Sequence, residues 1–307
     1  MDKKTLQWFQ LALKLKGSVV PGIIKRVLVC GAFGVFISVL YYLKAPVFWK
    51  SLESVVPSIV LGLLLVFRTN TAYERFWEGR KLWGTLNNNI RNLARLIWVA
   101  VDEKSPKDRA YKESTMRLLV AFAVATKLHL RSEPMNSELE TLMSQSRYFK
   151  LRDMNNPPLE IAFWIGDYLQ KQYNRSCLSL YQLNALNDLL NSMVDVLGGC
   201  ERILKTPIPL AYAIHLKQLL LIYCLLLPFQ MVNDLTWGTG PIVALISFTL
   251  FGIEEIGVEI ENPFGHDAND LPLDAICAAM RRNLEDLIAQ APQASAYTDD
   301  SPTTEVE

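Results

Sequence analysis

The sequence predicts an all-α integral membrane protein. Four uncharged apolar runs have lengths that suit helices crossing or lining a membrane. Between the second and third runs the apolar residues recur with helical spacing, and no segment of convincing length alternates as a β-strand does. Lysine plus arginine and aspartate plus glutamate balance at 31 each. The resulting zero net charge argues against a nucleic-acid-binding protein, which needs a basic face for phosphates.

The four apolar runs differ in strength. Residues 27–43 and 235–253 are long enough for spans, whereas 54–67 and 218–233 are shorter. A run as short as 54–67 usually indicates a buried core helix. A helix that lines a water-filled pore, however, needs no full lipid-facing length. We therefore expect four spans, with two spans plus buried helices as the alternative.

Basic residues flank these runs asymmetrically. Lys25 and Arg26 precede the first run, Arg68 and Arg75 follow the second run, and Lys205 precedes the third run. Because cytoplasmic flanks carry an excess of lysine and arginine, both termini are predicted to be cytoplasmic.

Helical patterns also occur outside the apolar runs. Residues 70–101 continue the second run as a long helix, and 111–130 and 159–173 are amphipathic. Within 178–204, apolar residues at steps of three and four predict a packing seam: Leu183, Leu186, Leu190, Met193 and Leu197.

These patterns divide the chain into six segments. In order they are a cytosolic amphipathic segment (1–26), two membrane helices (27–69), a helical cytosolic domain (70–207), two further membrane helices (208–258), a cytosolic turn and helix (259–289), and a disordered tail (290–307).

No constellation for catalysis or metal binding is visible in the sequence. The cysteines are scattered without CxxC spacing, and His129, His215 and His266 are isolated from one another. We expect neither enzymatic activity nor a cofactor. Four acids at the end of the fourth run are expected to be solvated or paired with arginines, or alternatively to touch permeating cations: Glu254, Glu255, Glu259 and Glu261.

Three regions of the sequence stand out together: 67–84, the pair 199–203 and 206–212, and the pair 261–265 and 269–275. In order and spacing they resemble the bestrophin family, and its bacterial members especially. The resemblance covers roughly residues 15–288. It implies a homopentamer with one pore on the fivefold axis in a bacterial inner membrane. Each subunit would then have four membrane helices and a helical cytosolic half.

The resemblance also implies a narrow neck lined by the second membrane helix. The matching positions are Ile59, Leu63 and Phe67, with Gly62 allowing close helix approach. Steps of four place the three side chains on one helical stripe, and five copies would stack apolar rings that can gate by dewetting. The alternative is that this stripe packs an ordinary core.

Two further regions follow from the resemblance. A second constriction near the cytosolic exit maps to Leu180, Tyr181 or Gln182, which are alternatively an ordinary first helical turn. The run Arg75, Phe76 and Trp77 is interpreted chiefly as an interfacial belt, with a bias on passing ions as the alternative.

The segment 262–270 matches a calcium clasp of animal members. Its acidic run is interrupted because His266 and Ala268 stand where acids would be, which leaves Asn262, Asp267 and Asp270. Calcium prefers six to eight oxygen ligands, several of them carboxylates. We therefore expect no working clasp, but a turn capped by Asn and Asp.

The function expected from these features is passive conduction of small monovalent ions. Aromatic neck rings favour anions through their positive edges, and the aliphatic Ile59 and Leu63 weaken that bias. The sequence therefore leans towards cations, with an anion channel as the alternative. A secondary transporter or a non-conducting scaffold is the alternative of another class, although no inverted repeat is visible.

Overall fold

In the computed structural model, which describes residues 3–49 and 55–294, all regular structure is helical. The all-α prediction is confirmed, since no strand occurs in these ranges. The helices are α1 (Lys3–Ala12), α2 (Val20–Tyr42), α3 (Val56–Ala100), α4 (Pro106–Arg131), α5 (Ser137–Glu140), α6 (Gln145–Arg152), α7 (Pro157–Asn174), α8 (Leu180–Lys205), α9 (Leu210–Leu235), α10 (Thr239–Glu259) and α11 (Leu273–Ala294).

Local sequence explains where several helices begin. Ser105 caps α4: its hydroxyl accepts a hydrogen bond from the Lys107 amide, while the Asp108 carboxylate accepts one from the Ser105 amide. Asn156 caps α7 by accepting from the Leu159 amide at 3.2 Å, and Pro157 occupies the first turn, where its missing N–H costs nothing.

Three stretches are long and apolar enough to cross a membrane: Val20–Tyr42, Val56–Ala100 and Leu210–Glu259. The last contains two helices, α9 and α10, separated by a short 3-10 turn at Thr236–Gly238. The apolar stretches therefore hold four helices, in agreement with the four expected spans. The predicted continuation of the second run through 70–101 is also confirmed, because α3 is one uninterrupted helix.

The chain forms two compact units. Unit 1 comprises Met1–Glu78 and Lys205–Asp270, and unit 2 comprises Gly79–Leu204 and Leu271–Glu307. The sequence placed the corresponding boundaries after residues 69, 207 and 258. The first boundary lies later because Arg75 hydrogen-bonds to the Thr206 and Glu261 backbones and so belongs to unit 1.

In unit 1, α2 and α10 pack backbone to backbone. A Cβ atom added to Gly34 would lie 2.9 Å from the Gly240 Cα, and one added to Gly31 would lie 3.0 Å from the Ala244 Cβ. Small residues allow this approach between membrane helices. The predicted first span, 27–43, underestimates α2, which begins at Val20 because Lys25 and Arg26 lie inside the helix rather than before it. The fourth run differs in the opposite direction: it was predicted from residue 235, but α10 begins only at Thr239, after the 3-10 turn.

Unit 2 is built around α4. From Thr115 to Leu128 this helix is buried on every side except at Arg117, as expected of a central helix. The predicted seam of α8 is confirmed, since Leu183, Leu186, Leu190, Met193 and Leu197 are all buried. The helix α11 continues to Ala294, beyond the predicted start of the tail at 290 and past Pro292, so its end does not follow from local helix propensity. The predicted disorder of 295–307 lies outside the described residues.

Candidate functional site: a neck helix and its supports

The expected neck residues form an exposed stripe on α3. Ile59, Leu63 and Phe67 are 57%, 54% and 62% exposed in the single subunit. On the opposite face of the same helix, Leu61 and Leu65 are buried against the core of unit 1. The stripe therefore does not pack the core of its own subunit, which removes the simplest alternative to a pore lining.

Gly62 lies beside the stripe and faces open space. A Cβ added there would meet no atom of the described residues within 4 Å, apart from the adjoining turns of α3 itself. The close helix approach expected at Gly62 therefore does not involve another helix of the same subunit. It stays a prediction for contacts between subunits.

A network of hydrogen bonds fixes α3 just after Phe67, the last residue of the stripe. The buried Arg68 donates to Glu261 at 2.6 Å, and Arg75 Nε donates to the Glu261 carbonyl at 3.1 Å. Arg75 Nη1 also donates to the Thr206 carbonyl, and Glu261 Oε1 accepts from the Ile208 amide at 2.9 Å. These bonds tie α3 to the segments that begin α9 and follow α10, so Arg75 acts as an anchor.

A second support comes from α9. The hydroxyl of Tyr212 donates to the carbonyl of Leu64, which lies inside the neck segment of α3, at 2.8 Å. Sequence reasoning assigned no role to Tyr212, although it closes one of the resembling segments. No local pattern could have paired it with Leu64, because the two residues are far apart in the chain.

The acids at the end of α10 are paired. Glu254 is buried and lies 3.4 Å from both Arg26 and Lys217, while Glu255 lies 2.8 Å from Arg26. Glu259 accepts from Asn269 at 2.6 Å. Together with the Arg68–Glu261 pair, the contacts of Glu254 and Glu255 agree with the expectation of acids paired with basic residues, whereas Glu259 is bonded to a neutral amide.

The expected second constriction lies at the first turn of α8. Ser179 and Gln182 form a reciprocal cap there: the Ser179 amide donates to Gln182 Oε1 at 2.8 Å, and the Gln182 amide donates to Ser179 Oγ at 3.3 Å. This cap occupies the Gln182 side chain. Leu180 is exposed, and Tyr181 is 88% exposed, so Tyr181 becomes the leading candidate of the three. The lining role stays a prediction.

The segment matching a calcium clasp is a turn closed on itself. Asn262 Oδ1 accepts from the Phe264 amide at 3.3 Å, and Asp270 Oδ2 accepts from the Asp267 amide at 2.8 Å. Among the described residues no group of three or more His, Cys, Asp or Glu side chains is placed to hold a metal ion. Asn262 Oδ1 and Asp270 Oδ2 thus serve the turn itself.

In unit 2 a histidine takes part in a polar cluster. His129 Nε2 lies 2.9 Å from Glu201 Oε1, which also accepts from Asn156 Nδ2 at 3.1 Å. All five cysteines are buried free thiols. Neither feature has the geometry of a catalytic centre.

A bundle of apolar helices, a stripe of exposed apolar side chains on one of them and a network of arginines at its end together define a helical membrane protein. The family model of the bacterial and fungal bestrophin proteins matches residues 1–286. This chain belongs to that family, so the resemblance stated above is confirmed.

Relatives and solved structures agree with this assignment. The chain is 67% identical over 290 residues to a voltage-dependent anion channel-forming protein of Nostoc sp., with 94% of each chain covered. It is 33% identical over 279 residues to a protein of the same description in Escherichia coli, with 90% of each covered. A crystal structure of a bacterial bestrophin homologue from Klebsiella pneumoniae matches with a TM-score of 0.80 and 30% identity, covering 87% of this chain and 98% of that one.

These comparisons bear on two expectations. They agree that the chain is not an enzyme, since the relatives are described as channel-forming proteins. The lean towards cations finds no support in them, because these relatives are described as anion channels. The lean rested on the aliphatic Ile59 and Leu63, whose side chains carry no charge and so discriminate weakly between ions of either sign.

Proposed function

We propose that five copies of this chain form a channel whose pore is lined by α3, with Ile59, Leu63 and Phe67 as stacked apolar rings. The observation that carries this proposal is the exposed stripe on α3, opposite the buried Leu61 and Leu65. Five side chains at each level leave a constriction without polar groups, and such a constriction can gate by dewetting. The bonds from Arg68 and Tyr212 would hold each copy of the helix at a fixed depth.

The assembly is proposed to be a homopentamer with cyclic symmetry. The likeness to a bestrophin homologue over most of both chains supports a shared mode of assembly. A closed ring also leaves no unused surface for further association. Native mass spectrometry in mild detergent should detect a pentamer. A stable monomer or dimer as the only species would contradict the proposal.

The conducted ions are proposed to be small monovalent anions, with cations as the alternative. The description of the Nostoc and Escherichia coli relatives as anion channels supports this sign, and the aromatic edge of Phe67 would favour anions. Reversal potentials of purified protein in bilayers under a salt gradient test the sign directly. A reversal potential close to the equilibrium potential of the cation would instead indicate a cation channel.

Flux into liposomes separates the proposed channel from the alternatives of other classes. A channel should conduct in both directions without a coupling ion. A transporter should saturate and need a second gradient, and a scaffold should conduct nothing. Leu63→Ala, which would widen the middle of the three proposed rings, is the variant that links any conductance to the stripe.

The chain is proposed to lie in a bacterial inner membrane with both termini in the cytoplasm and unit 2 on the cytoplasmic side. The basic flanks of the apolar helices support this orientation. The relatives above are bacterial. Reporter fusions at each terminus, read for cytoplasmic or periplasmic activity, test it.

A further inference from the structure

A groove opens on unit 1 between α2, α9 and α10, away from the neck stripe. Its volume is about 520 Å³. One end is lined by charged side chains, Lys25, Arg26, Lys217 and Glu254, and the rest by apolar ones. None of the neck residues takes part in it, and the conduction proposed above does not use it.

The charged end of the groove is positive. Arg26 and Lys217 both lie 3.4 Å from the buried Glu254, so two cations share one lining carboxylate. Arg26 is drawn further to Glu255 at 2.8 Å. Lys25 is exposed and forms no ion pair with any residue that the structure describes. Three cations, Lys25, Arg26 and Lys217, therefore face two carboxylates, Glu254 and Glu255, which leaves one positive charge in excess.

The remainder of the groove is apolar and continuous with the charged end. Cys30, Leu220 and Phe251 are buried and form its floor, while Val29 and Leu221 are more than half exposed along its walls. On α9 the wall runs from Lys217 to Leu225, a rise of about 12 Å. That length accommodates a substantial part of an acyl chain next to the cations.

We propose that this groove binds an anionic phospholipid, with its phosphate at Lys25 and Lys217 and one acyl chain along Val29 and Leu221. Charge complementarity selects this occupant. A basic pocket between membrane helices at the cytoplasmic surface suits an anionic head group, and the apolar wall suits a chain. A second copy of the same groove would instead bring cations against cations.

Native mass spectrometry of the detergent-solubilised assembly tests the proposal, because one spectrum reports both bound lipid and oligomeric state. The probes are phosphatidylglycerol and phosphatidylcholine with identical oleoyl chains. Phosphatidylglycerol should bind with at most one retained molecule per groove and clearly more tightly than phosphatidylcholine. Equal binding of the two lipids to the unmodified protein would overturn the proposal without any variant.

Matched variants locate the site. Lys25→Gln/Lys217→Gln should weaken phosphatidylglycerol binding about 25-fold, from roughly fivefold for each lost cation. Lys14→Gln/Lys44→Gln removes the same charge elsewhere in unit 1 and should change binding little. Leu221→Trp, which fills the apolar part and leaves the charge intact, should also weaken binding. Unchanged binding in both groove variants would overturn the assignment.

Two other occupants are separate outcomes of the same experiment. If soluble glycerol 3-phosphate displaces the lipid completely at similar concentration, the site recognises a free phosphate and the lipid proposal fails. If Leu221→Trp dissociates the assembly while lipid retention is unchanged, the groove is a contact between copies, and the proposal fails as well. The proposed conduction can hold or fail independently of all these results.

Discussion

In unit 2 the long helix α4 buries almost all of its apolar side chains, whereas in unit 1 the apolar side chains of α2 and α3 are exposed in large number. Phe122 of α4 is fully buried, while Val29, Phe36 and Leu63 are each more than half exposed. Exposed apolar surface on this scale marks a surface that meets lipid, a pore or a partner rather than water. The two units therefore use similar residues for different surroundings.

The two units also differ in the polar side chains that they bury. Unit 1 buries Ser38, Ser247 and Thr239 among apolar neighbours. Ser38 hydrogen-bonds to the Gly34 and Thr236 carbonyls at 3.0 and 2.8 Å. Thr239 likewise donates to the Thr236 carbonyl at 2.8 Å, so these two hydroxyls are satisfied within the bundle, whereas the Ser247 hydroxyl is buried without a hydrogen-bond partner among the described residues. Unit 2 instead buries a charged side chain, since Lys127 is 2% exposed and pairs with Glu138 at 2.6 Å and with Asp274 at 2.8 Å.

The largest expected effect is the loss of stability caused by Phe122→Ala in unit 2, and it tests the difference in burial between the two units. Because Phe122 has no exposed surface, truncation should leave a cavity and lower the free energy of unfolding by about 3–5 kcal/mol. Phe163→Ala is the control, since Phe163 is 65% exposed, and it should cost less than about 0.5 kcal/mol. Thermal or denaturant unfolding in detergent measures both. Equal losses would mean that Phe163 is covered in the assembly.

A smaller loss is expected for Gly34→Ala in unit 1. The added methyl would lie 2.9 Å from the Gly240 backbone, so α2 and α10 must separate, at a cost of about 1–3 kcal/mol. The matched control is Gly62→Ala, whose added methyl group meets no described residue outside the adjoining turns of α3 and which should be neutral or stabilising by up to about 1 kcal/mol. If Gly62→Ala instead dissociates the assembly, Gly62 is a point of close approach between copies.

Patterns within one helix could be predicted from the sequence, whereas contacts between helices could not. The seam of α8 and the continuity of α3 follow from local spacing, so periodicity was sufficient for both. The contact of Gly34 with Gly240 joins helices that are distant in the chain, and no local pattern pairs them. The neck stripe is intermediate. Its spacing is visible in the sequence, but a helix face that packs into a core has the same spacing. Only the resemblance to a family favoured a pore lining over core packing.

The capping carboxylate of α4 gives a pH-dependent effect within unit 2. The pKa of Asp108 is lowered to about 2, first by the hydrogen bonds from Arg175 and then by the Lys104 and Ser105 amides. A lowered pKa stabilises the fold above about pH 4, and this contribution disappears as the pH falls towards 2. Asp108→Asn should therefore unfold at a lower temperature than the unmodified protein at pH 7.

The difference between the two proteins should close between about pH 4 and pH 2. Asp167→Asn is the control, because Asp167 forms an exposed pair with Lys171 on α7 and such pairs contribute little. A constant difference between Asp108→Asn and the unmodified protein across this range would show that the carboxylate charge is not what stabilises the cap.

Leu63→Ala should change stability by less than about 0.5 kcal/mol and yet raise single-channel conductance. Leu63 does not pack the core of its own subunit, and its truncation shortens the dry zone that an ion crosses. Leu65→Ala, two residues away on the buried face, is the opposite control: it should destabilise by about 2–5 kcal/mol without widening the pore. Reversed results for the two variants would assign the stripe to packing.

The smallest expected effect is that of calcium, which should not change the open probability. The clasp segment retains Asp267 and Asp270, but one Asp270 oxygen already accepts from the Asp267 amide at 2.8 Å, and Asn262 Oδ1 accepts from the Phe264 amide. Sensor sites bind through several carboxylates, and a site with few binds at millimolar levels at best. A ligand that does not bind cannot shift an equilibrium between open and closed states. Bilayer recordings from nanomolar to about 10 micromolar calcium, roughly the sensor range, make the measurement on protein already seen to conduct. A steep rise in open probability that Asp270→Ala abolishes would mean that the turn rearranges into a working clasp.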